Sequence, residues 1–414
     1  MRVTTVFNRL LDLDGVNVQR VDFVGDTVEV TVALRRRKLV CPECDYVTAA
    51  RYDTRKAPSV WRHLRLGAWK LKIEAQLRRL YCPEHGWRVE GVPFARAGSR
   101  FTRDFEALVA WSATKMDKTA LCALVGIDWD TVGRICQRVM SEELDSGRLD
   151  ELFNIGVDEV SWKKHHNYLT LVADHDTGAI VWGAEGKDAK TLDGFFEELG
   201  EERSEQLQAV SMDMGLAFRK SVTTNAPQAE ICFDPFHIVQ VATDALNTVR
   251  REIWQDLRRQ PDPELAKKFK GARWALLKNP EDLTDKQATT LQAVKRSGGA
   301  LWRAYQRKEE LRAIFAGDLD PDQTMELLDR WCARAQRSRL EPFVKAARTF
   351  RTHRQGILAA IARGLSNARL EGLNRRVRLI VRRAFGFHSA KAALALVMLS
   401  CGPITLTLPW QETA

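Results

Sequence analysis

The sequence predicts a multi-domain α/β protein. Residues 17–35 and 69–77 alternate apolar and polar side chains as strands do; from Phe101 to Met140 the period turns helical; and from Asn154 short apolar strands alternate with helices. A β-rich segment, a helical pair and an α/β core therefore follow one another, with a long helical stretch inside the core. The length of 414 residues accommodates several buried cores.

Composition narrows the function classes. Apolar residues make up 45 % and charged residues 29 %, with 25 Gly and 13 Pro, which excludes collagen-like and low-complexity chains. The 64 Lys+Arg outnumber the 54 Asp+Glu for a net charge of +10, and a polyanion, nucleic acid first, is the expected partner. That surplus is local: residues 30–100 hold 16 Lys+Arg against 6 Asp+Glu. No charged-then-apolar leader follows Met1, and the longest apolar run, Ala392 to Leu399, is too short to span a bilayer. A cytoplasmic protein with no membrane segment is expected.

The β-rich segment, 1–100, contains two knuckles. Cys41-Pro42-Glu43-Cys44 and Cys82-Pro83-Glu84-His85 each set two soft ligands three residues apart, the spacing that aims a pair at one tetrahedral ion, so a structural zinc site is expected. The competing reading is two turns with reduced thiols, and His63 is a substitute ligand. Cys122, Cys136, Cys232, Cys332 and Cys401 lie scattered among apolar residues, as a reducing compartment allows. Arg35-Arg36-Arg37-Lys38, Arg55-Lys56, Arg62, Arg65 and Arg78-Arg79, interleaved with Tyr52, Trp61, Trp69 and Tyr81, suit phosphate contacts. A plain solvated face is the alternative.

Residues 101–150 read as a helix-turn-helix. Leu121, Val125, Ile127, Val132 and Ile135 supply the packing, Gly126 the turn and Asp128 the cap of the second helix. Asp130, Thr131, Arg134, Gln137 and Arg138 are expected on its outward face, with Arg134, Gln137 and Arg138 the groove candidates. Any two short packed helices imitate such a pattern.

The core is expected at 151–249, resuming at 365–414 with the terminal helices, and 250–364 as an all-helical insertion carrying Trp254, Trp274, Trp302 and Trp331. Strands are expected at 154–161, 167–174, 179–184, 208–213 and 229–234, and helices at 190–199, 215–224, from near His237, at about 366–383 and at 389–400. Asn154-Ile155-Gly156-Val157 runs as a buried strand into Asp158, a costly place for a carboxylate unless a cation compensates it. Ala209-Val210-Ser211-Met212 delivers Asp213 at its carboxyl end, where open α/β sheets form sites. The third acid is Glu371 on the late helix, sharing a face with Arg375, Arg378 and Arg382; the opposing reading is a surface ion-pair network. Oxygen ligands of this kind suit Mg2+ or Mn2+, and two such ions serve in-line phosphoryl displacement. Asp234 rivals Asp213 as second ligand, unless Asp234 caps the next helix and His237 packs. Asp174 and Asp176 read as turn residues before Gly178, and His165-His166 as a hairpin turn.

These residues together resemble the bacterial DDE transposases of insertion sequences, most closely the zinc-finger-bearing ISL-three family. The likeness covers nearly the whole chain and rests on the paired knuckles, the helix-turn-helix, Gly156-Val157-Asp158-Glu159, Ser211-Met212-Asp213-Met214, Asp234-Pro235-Phe236-His237, and Ser366-Asn367 through Glu371-Gly372-Leu373-Asn374 to Ala384-Phe385-Gly386-Phe387. It implies a ribonuclease-H-like catalytic core with Asp158, Asp213 and Glu371 as the metal-binding triad, and Asp234 and His237 as a supporting Asp-x-x-His signature. His85 stands where the family pattern suggests a fourth cysteine. The resemblance implies an enzyme that binds the element's terminal inverted repeats in double-stranded DNA, cleaves with two divalent ions and joins the ends to target DNA, working as a homodimer or larger assembly. A regulator or domesticated remnant that binds without cutting is the rival from another class.

Overall fold

The computed structural model describes residues 2–44, 46–163, 167–259, 271–316, 319–365 and 368–411, with the side chains of 368–371 outside the description. Two compact units emerge: residues 1–146 together with 379–414, and residues 147–378. The sequence reading kept 365–414 together; here that segment divides at Leu379.

The first unit opens with helix α1 (Val3–Leu11), whose Phe7 and Leu11 are buried. Strands β1 (Val16–Val24) and β2 (Thr27–Leu34) form the expected hairpin, turned at Gly25 with φ +60°. Two short strands, β3 (Leu39–Val40) and β4 (Val47–Thr48), precede β5 (Ser59–Leu66) and β6 (Trp69–Ala75). The sheet order is β1-β2-β6-β5, with β2 and β6 parallel. Its alternating side chains bury Val28, Val30, Val32, Leu71 and Ile73 on one face. A ribbon of β7 (Arg79–Cys82) and β8 (Gly86–Val89) follows, then helices α2 (Arg103–Lys115), α3 (Lys118–Val125) and α4 (Trp129–Glu143). The late helix Ala390–Cys401 is buried along most of its length, Lys391 excepted, and packs on α4 and α2, which explains why it joins this unit.

The second unit holds a five-stranded mixed sheet of β9 (Asn154–Lys163), β10 (Asn167–Asp174), β11 (Ile180–Glu185), β12 (Ala209–Met212) and β13 (Glu230–Phe233). The spatial order is β11-β10-β9-β12-β13: the first three strands are antiparallel, while β9, β12 and β13 run parallel. Helices α5 (Ala189–Leu199), α6 (Glu201–Glu205) and α7 (Leu216–Asn225) make the crossovers, and α8 (Pro235–Arg258) leaves the last strand. Between α8 and Arg363 most described residues are helical, including Gly299–Ala316, Pro321–Gln336, Glu341–Thr352 and Arg354–Arg363. Their core centres on Trp331, fully buried against Phe343 and Phe350, with its indole N–H donating to the Arg307 carbonyl at 2.8 Å. Truncating such a side chain costs about 3–5 kcal/mol. No helix among the described residues is long and apolar enough to cross a membrane.

Candidate active site and metal centre

Parallel register brings the two strand aspartates together. Gly156 pairs with Ser211 across β9 and β12, so Asp158 and Asp213 both lie two residues further on, at the same level of neighbouring strands. Asp158 is half-buried and Asp213 exposed. Burial pushes the Asp158 carboxyl above the ordinary carboxylate range and the charge of Asp213 adds to this, while hydrogen bonds from the Glu159 N–H and from Asn374, and the field of His237, pull the other way. The Glu159 N–H donates to Asp158 Oδ1 at 2.7 Å, and the Asn374 amide donates to Asp158 Oδ2. Glu159 is also raised, first by burial and then by Asp213 and Asp158, against Lys187. Concentrated carboxylates whose ionised forms disfavour one another suit a divalent cation.

Asp234 ends β13, is buried, and caps α8 by accepting the Phe236 N–H at 3.1 Å, the capping role weighed for it. His237, one turn into α8, is close enough to Asp158 to influence its ionisation. Glu371 lies on the helix Ala368–Arg383, its side chain outside the described residues, as are His165-His166 and Ser366-Asn367. The next turn of that helix carries Asn374, buried and bonded to Asp158; sequence reasoning passed over it, although its place three residues after Glu371 was the available signal. Leu373, Val377, Ile380 and Ala384 are buried and Arg375, Arg378 and Arg382 exposed. Asp174 accepts the Asp176 and Thr177 N–H groups at 3.0 Å ahead of Gly178 at φ +72°, a turn as expected.

The knuckles converge. Cys41, Cys44, Cys82 and His85 place their ligand atoms within 4.8 Å of one another. Cys44 Sγ lies 3.6 Å from Cys82 Sγ, and His85 Nδ1 lies 3.8 and 3.6 Å from Cys41 and Cys82 Sγ. Tetrahedral zinc with Zn–S bonds of about 2.3 Å holds its ligands roughly 3.5–3.8 Å apart, so this set fits the ion. Burial opposes ionisation of Cys82, but backbone and ring hydrogen bonds at His85 bring the thiol down to about 6. Glu43, 3.8 Å from His85 Nε2, is placed to orient the ring. His63 is excluded from this cluster: it is buried, its Nδ1 is 2.8 Å from Thr102 Oγ1, and burial holds it down to about 4.

Asp117 and Asp128 cap α3 and α4 through the Ala120 and Thr131 N–H groups at 2.9 and 2.8 Å, and Gly126 makes the turn at φ +63°. Arg134 is exposed and Gln137 half-buried. Two residues expected to face outward do not. Thr131 is buried, its hydroxyl donated to Asp128 Oδ2 at 2.7 Å, and Arg138 is drawn inward by Glu106, which is fully buried and also pairs with Arg96. Several basic residues near the knuckles are internal ties as well. Arg62 donates to the Gly126 and Val125 carbonyls, Arg36 to that of Gly91, and Arg78 pairs with the buried Glu90.

Comparison with known proteins agrees with this arrangement. Residues 155–396 match a family described as "Transposase", and residues 90–140 match the "Helix-turn-helix domain of transposase family ISL3". The transposase for insertion sequence element IS1557 of Mycobacterium tuberculosis, in two strains, is 39% identical over 99% of this chain and 98% of its own length. The transposase for insertion sequence element IS1001 of Bordetella parapertussis is 24% identical over 90% of this chain and 92% of its own length. On these matches the chain belongs to the ISL3 family of DDE-type insertion-sequence transposases.

Proposed function

We propose that this transposase grips the terminal inverted repeats of its element through the first unit and cuts and joins DNA at Asp158, Asp213 and Glu371. The observation that carries the reading is the parallel register of β9 and β12, which sets Asp158 and Asp213 two residues beyond the Gly156–Ser211 pair, with Asn374, one turn from Glu371, bonded to Asp158. The strand order, three antiparallel strands followed by two parallel additions, supports a ribonuclease-H-like core interrupted by the helical insertion at 250–364. Asp158 and Asp213, completed by Glu371, would hold two Mg2+ or Mn2+ ions. Bound there, the ions would activate the attacking oxygen and stabilise the leaving one. Asp234 fixes the start of α8 and so positions His237 beside the carboxylates.

Arg134 and Gln137 on α4 would enter a major groove, and Arg375, Arg378 and Arg382 would contact the backbone; Arg138 serves Glu106 instead. Zinc at Cys41, Cys44, Cys82 and His85 would staple the knuckles. Holding two ends together requires a dimer or larger assembly, acting on cytoplasmic DNA.

The test is a duplex carrying the element's end, incubated with Mg2+ and wild-type, Asp158→Asn or Glu371→Gln protein. Both variants are expected to bind the duplex and to lose cleavage by at least about a thousandfold; a Glu371→Gln protein that cuts as well as wild type overturns the triad. Joining to supercoiled target separates a transposase from a nuclease, and binding with no cutting by wild type marks a regulator.

A further inference from the structure

A basic cavity lies within the helical insertion. Its volume is about 330 Å³ and it is lined by Arg303, Arg307, Arg334, Arg337, Ser338 and Arg339. Arg303 and Arg307 stand four residues apart on Gly299–Ala316 and so share a face; Arg334 is in the last turn of Pro321–Gln336, and Arg337 and Arg339 follow it. Five arginines line the space and no acidic residue does. Glu310, bonded to Arg307 at 2.6 Å and 3.7 Å from Arg334, offsets part of the charge.

Compensation of a helix terminus does not account for the cluster. Arg337 alone meets a last-turn carbonyl, that of Ala333 at 3.1 Å, whereas Arg303 and Arg307 come from another helix. One further observation favours an anion: the Arg307 Nε is buried with no hydrogen-bond partner although the guanidinium also pairs with Glu310. Arg339 takes φ +59°, a backbone state that glycine adopts more freely than arginine.

We infer that this cavity binds phosphate groups of a duplex backbone, which makes the insertion a second DNA-holding surface; the inference rests on the DNA-cutting reading above. Guanidinium forks match phosphate oxygens in pairs, and phosphate contacts hold a duplex without reading its sequence.

The experiment measures affinity of full-length, zinc-loaded protein for an end-containing duplex across a salt series. The proteins are wild type, Arg303→Gln/Arg337→Gln, Arg339→Gly, and Arg134→Gln on α4. The double variant is expected to lower the slope of log affinity against log salt by roughly 1–2, since each lost phosphate contact removes about 0.9. Arg339→Gly should weaken binding while leaving the melting temperature equal or higher, because glycine suits that backbone; this separates DNA contact from misfolding. Unchanged slope and affinity in both, with Arg134→Gln impaired, overturns the site and leaves the function standing. Wild type that binds no duplex overturns both. Saturable inorganic phosphate binding that the variants lose, with the DNA slope intact, reassigns the cavity to a small anion and overturns the inference.

Discussion

Asn374 donates its side-chain amide to Asp158 across 216 residues of sequence. The bond fixes one oxygen of the strand carboxylate from the helix that also bears Glu371. Removing it frees the Asp158 carboxyl to rotate. Asn374→Ala is expected to fold, bind DNA normally and lose roughly 10–100-fold in Mn2+ affinity, as outer-sphere partners of metal ligands do. Titration with Mn2+, read by calorimetry alongside cleavage, checks this. Equal Mn2+ affinity in wild type and variant would deny Asn374 any positioning role.

The two knuckles have little apolar packing of their own. The apolar cluster there contains Leu39, Leu80 and the cysteines Cys41, Cys82 and Cys44. Metal is therefore expected to carry the local fold. Elemental analysis should find one zinc per chain, and Cys82→Ser should abolish it. The chelated protein should lose the ordered amide signals of residues 39–48 and 79–89 while retaining those of β9–β13.

His63 gives a pH dependence of definite sign. Its folded pKa is held down to about 4 by burial, against an ordinary 6.5. Between those values the unfolded chain takes the proton and the folded chain refuses it, so stability falls as pH drops through this window, by at most about 3 kcal/mol. Replacing the ring in His63→Gln should flatten the fall in melting temperature between pH 6.5 and 4. The difference between the two proteins cancels the acid sensitivity of the Cys41, Cys44, Cys82 and His85 cluster, which both share. A wild-type curve parallel to that of the variant would contradict the assignment.

Gly356 separates two opposing effects. Alanine is the better helix former by up to about 1 kcal/mol. A Cβ at Gly356, however, would lie 2.5 Å from the Phe233 ring and 2.8 Å from the Ile231 carbonyl oxygen. Backbone on β13 has no room to yield, so overpacking wins, and Gly356→Ala is expected to destabilise by about 1–3 kcal/mol in denaturant unfolding. Because β13 leads into Asp234, cleavage should fall too.

Much of this was legible in the sequence. Strands β9 to β13 sit within a residue or two of their expected bounds because buried core strands are short apolar runs closed by polar turns. The knuckles and capped helices were legible because metal spacing and capping are local rules. What escaped the reading depends on distant partners. The parallel pairing of β2 with β6 leaves no mark on either strand, and α1 was hidden in a segment read for its strands. Arg138 was taken for a groove contact because nothing near it announces the buried Glu106, and Arg62 and Arg78 counted as free charge although both are spent inside the fold. Asn374 was passed over because its partner Asp158 lies 216 residues away, and only its place three residues after Glu371 marked it.

The order in which the strands and the late helix are encoded has a consequence for synthesis. The sheet is complete once Phe233 has been made, yet Glu371 and Asn374 arrive only with the helix Ala368–Arg383. A nascent chain thus holds Asp158 without its Asn374 partner until nearly all the message has been read. A premature stop anywhere in the insertion would release a chain lacking both that helix and Ala390–Cys401, which packs on α4 and α2, so it is expected neither to cut DNA nor to keep its first unit intact.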